Sequence, residues 1–181
     1  RGGSQCATCD GPLYMNQVVA VAGGGDSAAD EALTLTEYCE RVLLVHRTDS
    51  LSAQQSLVNR VGDNRKIEVV WNTVIEEVLG QDTVSGLRMR NVVTNLENAM
   101  ELSGLFVYVG LEPNSSIVEG LLKTDNSGHI PTNVSMETEV PGVYAVGDLR
   151  QNSSSQLVSA AGDGATAAVA AFKYISAKNW N

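Results

Sequence analysis

Cys6-Ala7-Thr8-Cys9 places two thiols three residues apart. This spacing serves a zinc half-site, a redox dithiol or two unrelated cysteines. A structural zinc site takes about four ligands. The remaining candidates are Cys39, His46 and His129, with no second paired spacing, so no metal is expected. A redox pair is favoured, because one thiolate attacks a disulfide while its neighbour resolves the mixed disulfide. Asp10 follows directly and is a candidate for the proton that a leaving thiolate needs. Asp10-Gly11-Pro12 is equally a turn signal.

Gly23-x-Gly25-x-x-Ala28 follows an apolar run and opens a helical pattern. Gly23 permits a tight turn, Gly25 lets a pyrophosphate approach the backbone, and Ala28 lets helix and strand pack closely. The helix start offers free N–H groups and a positive dipole end. A site for an unphosphorylated ribose ends its second strand in an acid. This chain has His46-Arg47 there, and an arginine pairs with a 2′-phosphate. The reading tilts to NADP, with a solvated surface arginine as the plainer alternative. A third motif, Gly142-Val-Tyr-Ala-Val-Gly147-Asp148, ends an apolar run in a Gly-Asp pair before a Ser-rich loop and a helix start. A helix start beside a flavin stabilises its anionic reduced form. Strand-Gly-Asp is also an ordinary turn.

The elements that must position these residues follow from periodicity. Residues 17–22, 42–45 and 67–71 read as buried strands, with helices over Ser27–Glu40 and residues 50–61 between them. This β-α-β-α-β order predicts right-handed crossovers and a parallel sheet. Residues 74–79, 84–93 and 98–102 read as a meander covering that sheet. A strongly apolar strand is expected at 105–109, closed by Gly110, with a domain seam just before it. Beyond lie a short helix near 115–122, a hairpin region near His129, a buried strand at 142–146 and a long helix from Gln156 to Ser176. Cys39 falls on apolar helical positions and reads as a small core residue.

With 181 residues, the chain suits one large domain or two small ones at about 150 residues per domain. The net charge of −9 argues against nucleic acid and against an anionic membrane surface. No apolar run approaches the roughly 18 residues of a spanning helix. The three cysteines, with no signal peptide ahead of the first motif, give no secreted disulfide framework. A cytoplasmic location is expected. The opening Arg1-Gly2-Gly3-Ser4-Gln5 reads like the interior of a longer protein.

Taken in order, the motifs resemble the low-molecular-weight thioredoxin reductase family. The resemblance rests on Cys-Ala-Thr-Cys-Asp-Gly (6–11), Gly-Gly-Gly-Asp-Ser-Ala (23–28), His-Arg (46–47), Gly-Leu-Phe-Val-Tyr-Val-Gly (104–110), Pro-Asn (113–114), Val-Pro-Gly-Val-Tyr-Ala-Val-Gly-Asp (140–148) and Ala-Ala-Gly-Asp-Gly (160–164). The flavoprotein subunit of alkyl hydroperoxide reductase is similar over 110–114. The resemblance implies a homodimeric FAD enzyme that passes electrons from NADPH through FAD to the dithiol, then to thioredoxin or a similar small disulfide protein. It implies that Cys9 faces the flavin, Cys6 exchanges with the substrate disulfide and Asp10 donates the proton. Gly23, Gly24, Gly25, Asp26, Ser27, Ala28, His46 and Arg47 would hold the nicotinamide nucleotide. Gly147, Asp148, Ser155, Gln156 and Leu157 would contact FAD, and Gly110 is a further cofactor-binding candidate. The implied fold is α/β: a Rossmann-like nucleotide-binding domain with a meander at 1–103, plus the C-terminal part of a split FAD-binding domain at 104–181. Rotation of the nucleotide domain alternately presents the flavin to the dithiol and to NADPH.

Three departures qualify what the resemblance implies. The family's phosphate signature is His-Arg-Arg followed by a third arginine; here it reads His46-Arg47-Thr48 with Ser52 in the third position. Each charge-assisted contact contributes about 1.5–3 kcal/mol, so losing two favours relaxed NADH use or a different electron donor. The family's Arg-Gln before the last helix is Ser155-Gln156. The N-terminal Gly-rich FAD motif is not in this sequence. The alternatives are a dithiol flavoprotein serving a peroxiredoxin or a glutaredoxin-like partner, and a nucleotide-binding module without catalysis.

Overall fold

The computed structural model describes residues 1–177, in two units, Arg1–Gly110 and a second that begins at Leu111. Residues 178–181, the tail of the expected second segment, lie outside the described residues.

In the first unit, β1 (Gly3–Ser4), β2 (Val18–Gly23), β3 (Arg41–Val45), β4 (Ile67–Val70) and β8 (Gly104–Tyr108) form one parallel sheet in the order β1-β8-β2-β3-β4. The strands are apolar on successive residues because both faces are covered. Val19, Val21, Val42, Leu44 and Phe106 face a helical layer made by α2 (Asp26–Leu35) and α3 (Gln55–Asp63). Ala28, Ala29 and Ala32 bring α2 close to the sheet. The alternate residues Ala20, Leu43, Val45 and Leu105 pack against Leu87 and Met89. Those two belong to β6 (Gly86–Asn91), the middle strand of an antiparallel sheet with β5 (Thr73–Leu79) and β7 (Glu97–Glu101). The meander therefore does cover the parallel sheet.

Two expected elements end differently. The helix expected to reach Glu40 stops at Leu35, where the Thr36 hydroxyl donates to Leu33 O at 2.7 Å. Lys66 Nζ then donates to Thr36 O at 2.6 Å and to Cys39 O at 3.0 Å, satisfying carbonyls that further helix turns would otherwise use. Cys39 is buried, and burial pushes its thiol up to about 11. The strand expected at 105–109 pairs between β1 and β2 in the first unit, so the seam between the units falls after Gly110 rather than before the strand. Phe106 explains why: its fully buried ring belongs to the helical-layer core and meets Tyr14 edge-on at 5.4 Å.

The second unit has a small core of Leu122, Ile130 and Ala145. The short helix expected near 115–122 is a single 3-10 turn, Ser115–Val118. The strand expected at 142–146 does not form among the described residues. An isolated antiparallel bridge pairs Tyr144 with Glu137 instead, with Ala145 N–H donating to Met136 O, and Val143 N–H closes a turn to Val140 O. The final helix, α4 (Leu157–Ser176), begins at Gln156 in a capping box with Ser159.

Candidate active site

Cys6 and Cys9 are joined in a disulfide across α1 (Ala7–Asp10), with their Cα atoms 5.3 Å apart. Cys6 is the N-cap of that turn, and its Sγ accepts the Cys9 N–H at 3.1 Å. In the dithiol state the same N–H stabilises a thiolate on Cys6. Cys6 is half-buried and Cys9 is exposed. Asp10 is oriented by Ser4, whose hydroxyl donates to Oδ2 at 2.7 Å while accepting the Cys6 N–H at 3.1 Å. Asp10 is therefore tied to the segment that carries Cys6.

The Gly23–Ala28 turn sits at the carboxyl end of β2, where α2 begins. Gly23 has φ +148°, and a Cβ there would lie 2.4 Å from Tyr108 O and 2.8 Å from Ala28 Cβ. Any larger residue would drive β2 away from β8. At Gly24 a Cβ would strike the His46 ring at 2.2 Å. Gly25 is the N-cap of α2, and a Cβ there would meet nothing closer than Ser52 Oγ at 3.8 Å. The first-turn N–H groups of α2, including those of Asp26 and Ser27, have no acceptor within the helix. Open space ahead of these donors suits a pyrophosphate. Asp26 is engaged elsewhere: Gln54 N–H donates to Oδ1 at 2.7 Å and Gln54 Nε2 to Oδ2 at 2.8 Å. Those bonds hold its carboxyl below the ordinary range.

His46 is fixed rather than exposed to choose partners. Its Nδ1 meets Gly23 O at 3.1 Å, so Nδ1 carries the hydrogen, and Nε2 meets Thr48 Oγ1 at 2.8 Å. Trp71 stands edge-on to the ring at 6.5 Å. The Ser52 hydroxyl is turned inward, donating to Gly24 O at 3.2 Å. Arg47 is exposed and forms no ion pair among the described residues, and Asp49 is exposed two positions on.

In the second unit, Gly147 has φ +67°, and its N–H donates to Asp163 Oδ2 at 3.0 Å. Arg150 grips the same carboxylate through Nε at 2.6 Å and its terminal nitrogen at 2.9 Å. These bonds hold the Asp163 carboxyl below its ordinary range. Asp148 accepts from Ser153 through Oδ1 at 3.2 Å, leaving Oδ2 for another donor. Ser155, Gln156 and Leu157 are exposed at the start of α4, with Ser155 at φ +51°. Gly110, at φ +103°, ends the first unit with nothing near the position of a Cβ.

Besides Ser4, the sequence reading missed two side chains beside the dithiol. Ala7 N–H, the amide directly after Cys6, donates to Glu31 Oε2 at 3.0 Å and to the Tyr108 hydroxyl at 3.2 Å. The Tyr108 hydroxyl in turn donates to Glu31. Burial and the Glu31 charge raise the Tyr108 phenol above its ordinary range, so it stays protonated. A signal for Glu31 existed. It shares a helical stripe with Ala28, Ala32 and Leu35, all buried, and a carboxylate on an apolar stripe needs a partner. Arg150 was also missed, because no periodicity marks a residue whose partner, Asp163, lies in another element.

A parallel sheet with a glycine turn at its carboxyl end, and a disulfide across one helical turn, define a nucleotide-linked disulfide oxidoreductase fold. The sequence profile of the pyridine nucleotide-disulphide oxidoreductases matches residues 2–165, and the chain belongs to that family. It is 42% identical to a thioredoxin reductase of Listeria monocytogenes over 176 residues, which is 97% of this chain and 55% of that protein. It is 40% identical to a thioredoxin reductase of Bacillus subtilis over 176 residues, 97% of this chain and 56% of that protein. Among solved structures, a thioredoxin reductase from Streptococcus pyogenes superposes with a TM-score of 0.89 at 40% identity, covering 98% of this chain and 58% of that one. The chain thus spans about half the length of the curated relatives it matches. Among the described residues, no helix is long and apolar enough to cross a membrane, and no group of three or more His, Cys, Asp or Glu is gathered to hold a metal.

Proposed function

We propose that this chain is the dithiol- and nucleotide-bearing portion of a flavin-dependent thioredoxin reductase, working with NADPH and FAD as a cytoplasmic homodimer. The observation that carries the reading is the Cys6–Cys9 disulfide in the same unit as the Gly23–Ala28 turn. In this reading Arg1–Gly110 is the nucleotide domain, including β8. The segment from Leu111 is the C-terminal part of the FAD domain, and the rest of that domain corresponds to the part of the relatives that the match does not cover.

The residues present fit both cofactors. Gly23, Gly24 and Gly25 leave the first-turn N–H groups of α2 open to a pyrophosphate, with Asp26, Ser27 and Ala28 forming that turn. His46 shapes the floor of the site, and Arg47 is free to meet a 2′-phosphate. Asp148 Oδ2, Gly147, Gly110 and the exposed Ser155, Gln156 and Leu157 suit one side of a flavin nucleotide. When bound, FAD takes a hydride equivalent from the nicotinamide and returns two electrons to the disulfide.

The dithiol then does the exchange. Cys6 thiolate, favoured by the Cys9 N–H, attacks the thioredoxin disulfide, forming a mixed disulfide and releasing one thioredoxin thiolate. Asp10 supplies the proton to that leaving sulfur. The Cys9 thiol gives its proton to the Asp10 carboxylate and, as a thiolate, attacks Cys6 Sγ; the second thioredoxin sulfur leaves as a thiolate that takes a proton from water, and the Cys6–Cys9 disulfide is restored.

Stopped-flow reduction of the FAD-loaded holoenzyme tests the electron path. Flavin bleaching by NADPH, with slower bleaching by NADH, is expected. Failure of either nucleotide to bleach a flavin that dithionite still reduces would overturn the proposed donor.

A further inference from the structure

The group nearest the dithiol that the proposed mechanism leaves unused is a carboxylate. Glu31 projects from α2 and accepts the Ala7 N–H at 3.0 Å; Tyr108, at the end of β8, touches the same amide at 3.2 Å and donates to Glu31. Ala7 is fully buried. Three elements thus meet on the one amide between the two cysteines' side chains. Two of them also build the nucleotide turn. Gly25, the N-cap of α2, is six positions before Glu31, and Tyr108 pairs in register with Gly23.

We infer that Glu31, held by Tyr108, is a positioning residue that fixes the Cys6–Cys9 turn and, through its negative charge, opposes the formation of a Cys6 thiolate. The inference rests on the proposed redox role of Cys6 and Cys9. Two opposing influences act on Cys6. The Cys9 N–H favours its thiolate. The Glu31 carboxylate disfavours it, since like charges in a partly desolvated setting raise a thiol's pKa. The titratable groups facing the turn are Asp10 on α1 itself, Glu31 from α2 and Tyr108 from β8, with Tyr14 facing Asp10. Of these, Glu31 and Tyr108 both accept the Ala7 N–H beside Cys6, and of the two Glu31 brings the charge. The Tyr108 hydroxyl spreads that carboxylate's charge by donating to it, so losing the hydroxyl and losing the charge act in opposite directions. A purely structural role would move both the same way.

The experiment uses the chain 1–181, reduced with dithiothreitol. Reduced dithiothreitol gives two electrons and two protons to the disulfide, yielding the Cys6 and Cys9 thiols and cyclic oxidised dithiothreitol. Site-resolved alkylation by iodoacetamide across pH then reports the Cys6 thiolate. Glu31→Gln keeps the shape and an acceptor for Ala7 N–H but removes the charge. It is expected to raise Cys6 alkylation at neutral pH about threefold and to shift the dithiothreitol equilibrium toward the dithiol by a similar factor. Tyr108→Phe is expected to lower the Cys6 rate about twofold. An unchanged rate in either folded variant, or acceleration in both, overturns the inference; should Glu31→Gln not fold, Tyr108→Phe decides alone. A wild-type disulfide that takes no electrons from dithiothreitol overturns the redox reading itself, which distinguishes the two failures.

Discussion

The unit Arg1–Gly110 buries apolar residues on both faces of one parallel sheet, whereas the unit from Leu111 buries a small cluster, Leu122, Ile130 and Ala145. In the first, Phe106, Leu35, Leu43 and Leu44 are fully enclosed between helices and an antiparallel sheet. In the second, α4 leaves Leu157 90% and Val158 80% exposed, and Phe172 71% exposed. Among the described residues, α4 buries Asp163, which is held by an ion pair with Arg150. Hydrophobic patterning thus predicts burial but does not say what supplies it. Where the partner elements are contiguous in sequence, as in β2-α2-β3, pattern and structure agree. Where an apolar stretch such as 142–146 has no neighbouring strand among the described residues, it makes an isolated antiparallel bridge, Tyr144 with Glu137, and a turn at Val143 instead.

Truncating the core of the first unit has the largest expected effect. Phe106→Ala is expected to destabilise the first unit by about 3–5 kcal/mol, read as loss of amide protection in β2, β3 and β8. Protection unchanged in those strands would mean that the two-faced core is not what holds the unit. Next comes Gly23→Ala, which forces a Cβ into Tyr108 O at a positive φ. A loss of about 1–3 kcal/mol in unfolding free energy is expected, with loss of nucleotide binding in calorimetric titration. Wild-type behaviour in both would remove the steric argument for the turn.

A smaller effect sharpens the site. Arg47→Ala is expected to weaken NADPH binding about tenfold while changing NADH binding little, since a charge-assisted contact contributes about 1.5–3 kcal/mol. Equal losses for both nucleotides would remove Arg47 from the 2′-phosphate. The smallest concerns the second unit. Asp163 has a folded pKa below its unfolded one, so its contribution is complete above the ordinary aspartate range. It is lost as pH falls through the depressed folded value. Asp163→Asn should remove that acid-side slope in thermal melts across pH, and an unchanged slope would contradict the role given to the Arg150 pair.

The sequence carried the fold where periodicity and turn chemistry agree. The small apolar run, glycine turn and alanine-rich helix at 17–35 are strand, turn and helix in the structure. It did not carry the end of α2, because Lys66 satisfies carbonyls there from another element. Nor did it assign β8, whose place between β1 and β2 depends on which residues Phe106 packs against. At the candidate site, the disulfide and glycine turn were legible from residue type and spacing. Tyr108 and Arg150 were not, since each acts through a partner distant in sequence; Ser4 was not, since its bonds to Cys6 and Asp10 depend on how that turn folds. Glu31 was legible in principle, as the one charge on a buried stripe.

The central claim is that Cys6 and Cys9 pass electrons as a pair to a protein disulfide. Its most direct test mixes the pre-reduced chain with oxidised thioredoxin and follows the products by intact mass. The wild-type chain should reduce thioredoxin while re-forming its own disulfide. Cys9→Ser should instead accumulate a mixed disulfide between Cys6 and thioredoxin, because the resolving thiol is gone. A Cys9→Ser chain that reduces thioredoxin as the wild type does, with no trapped adduct, would contradict the account.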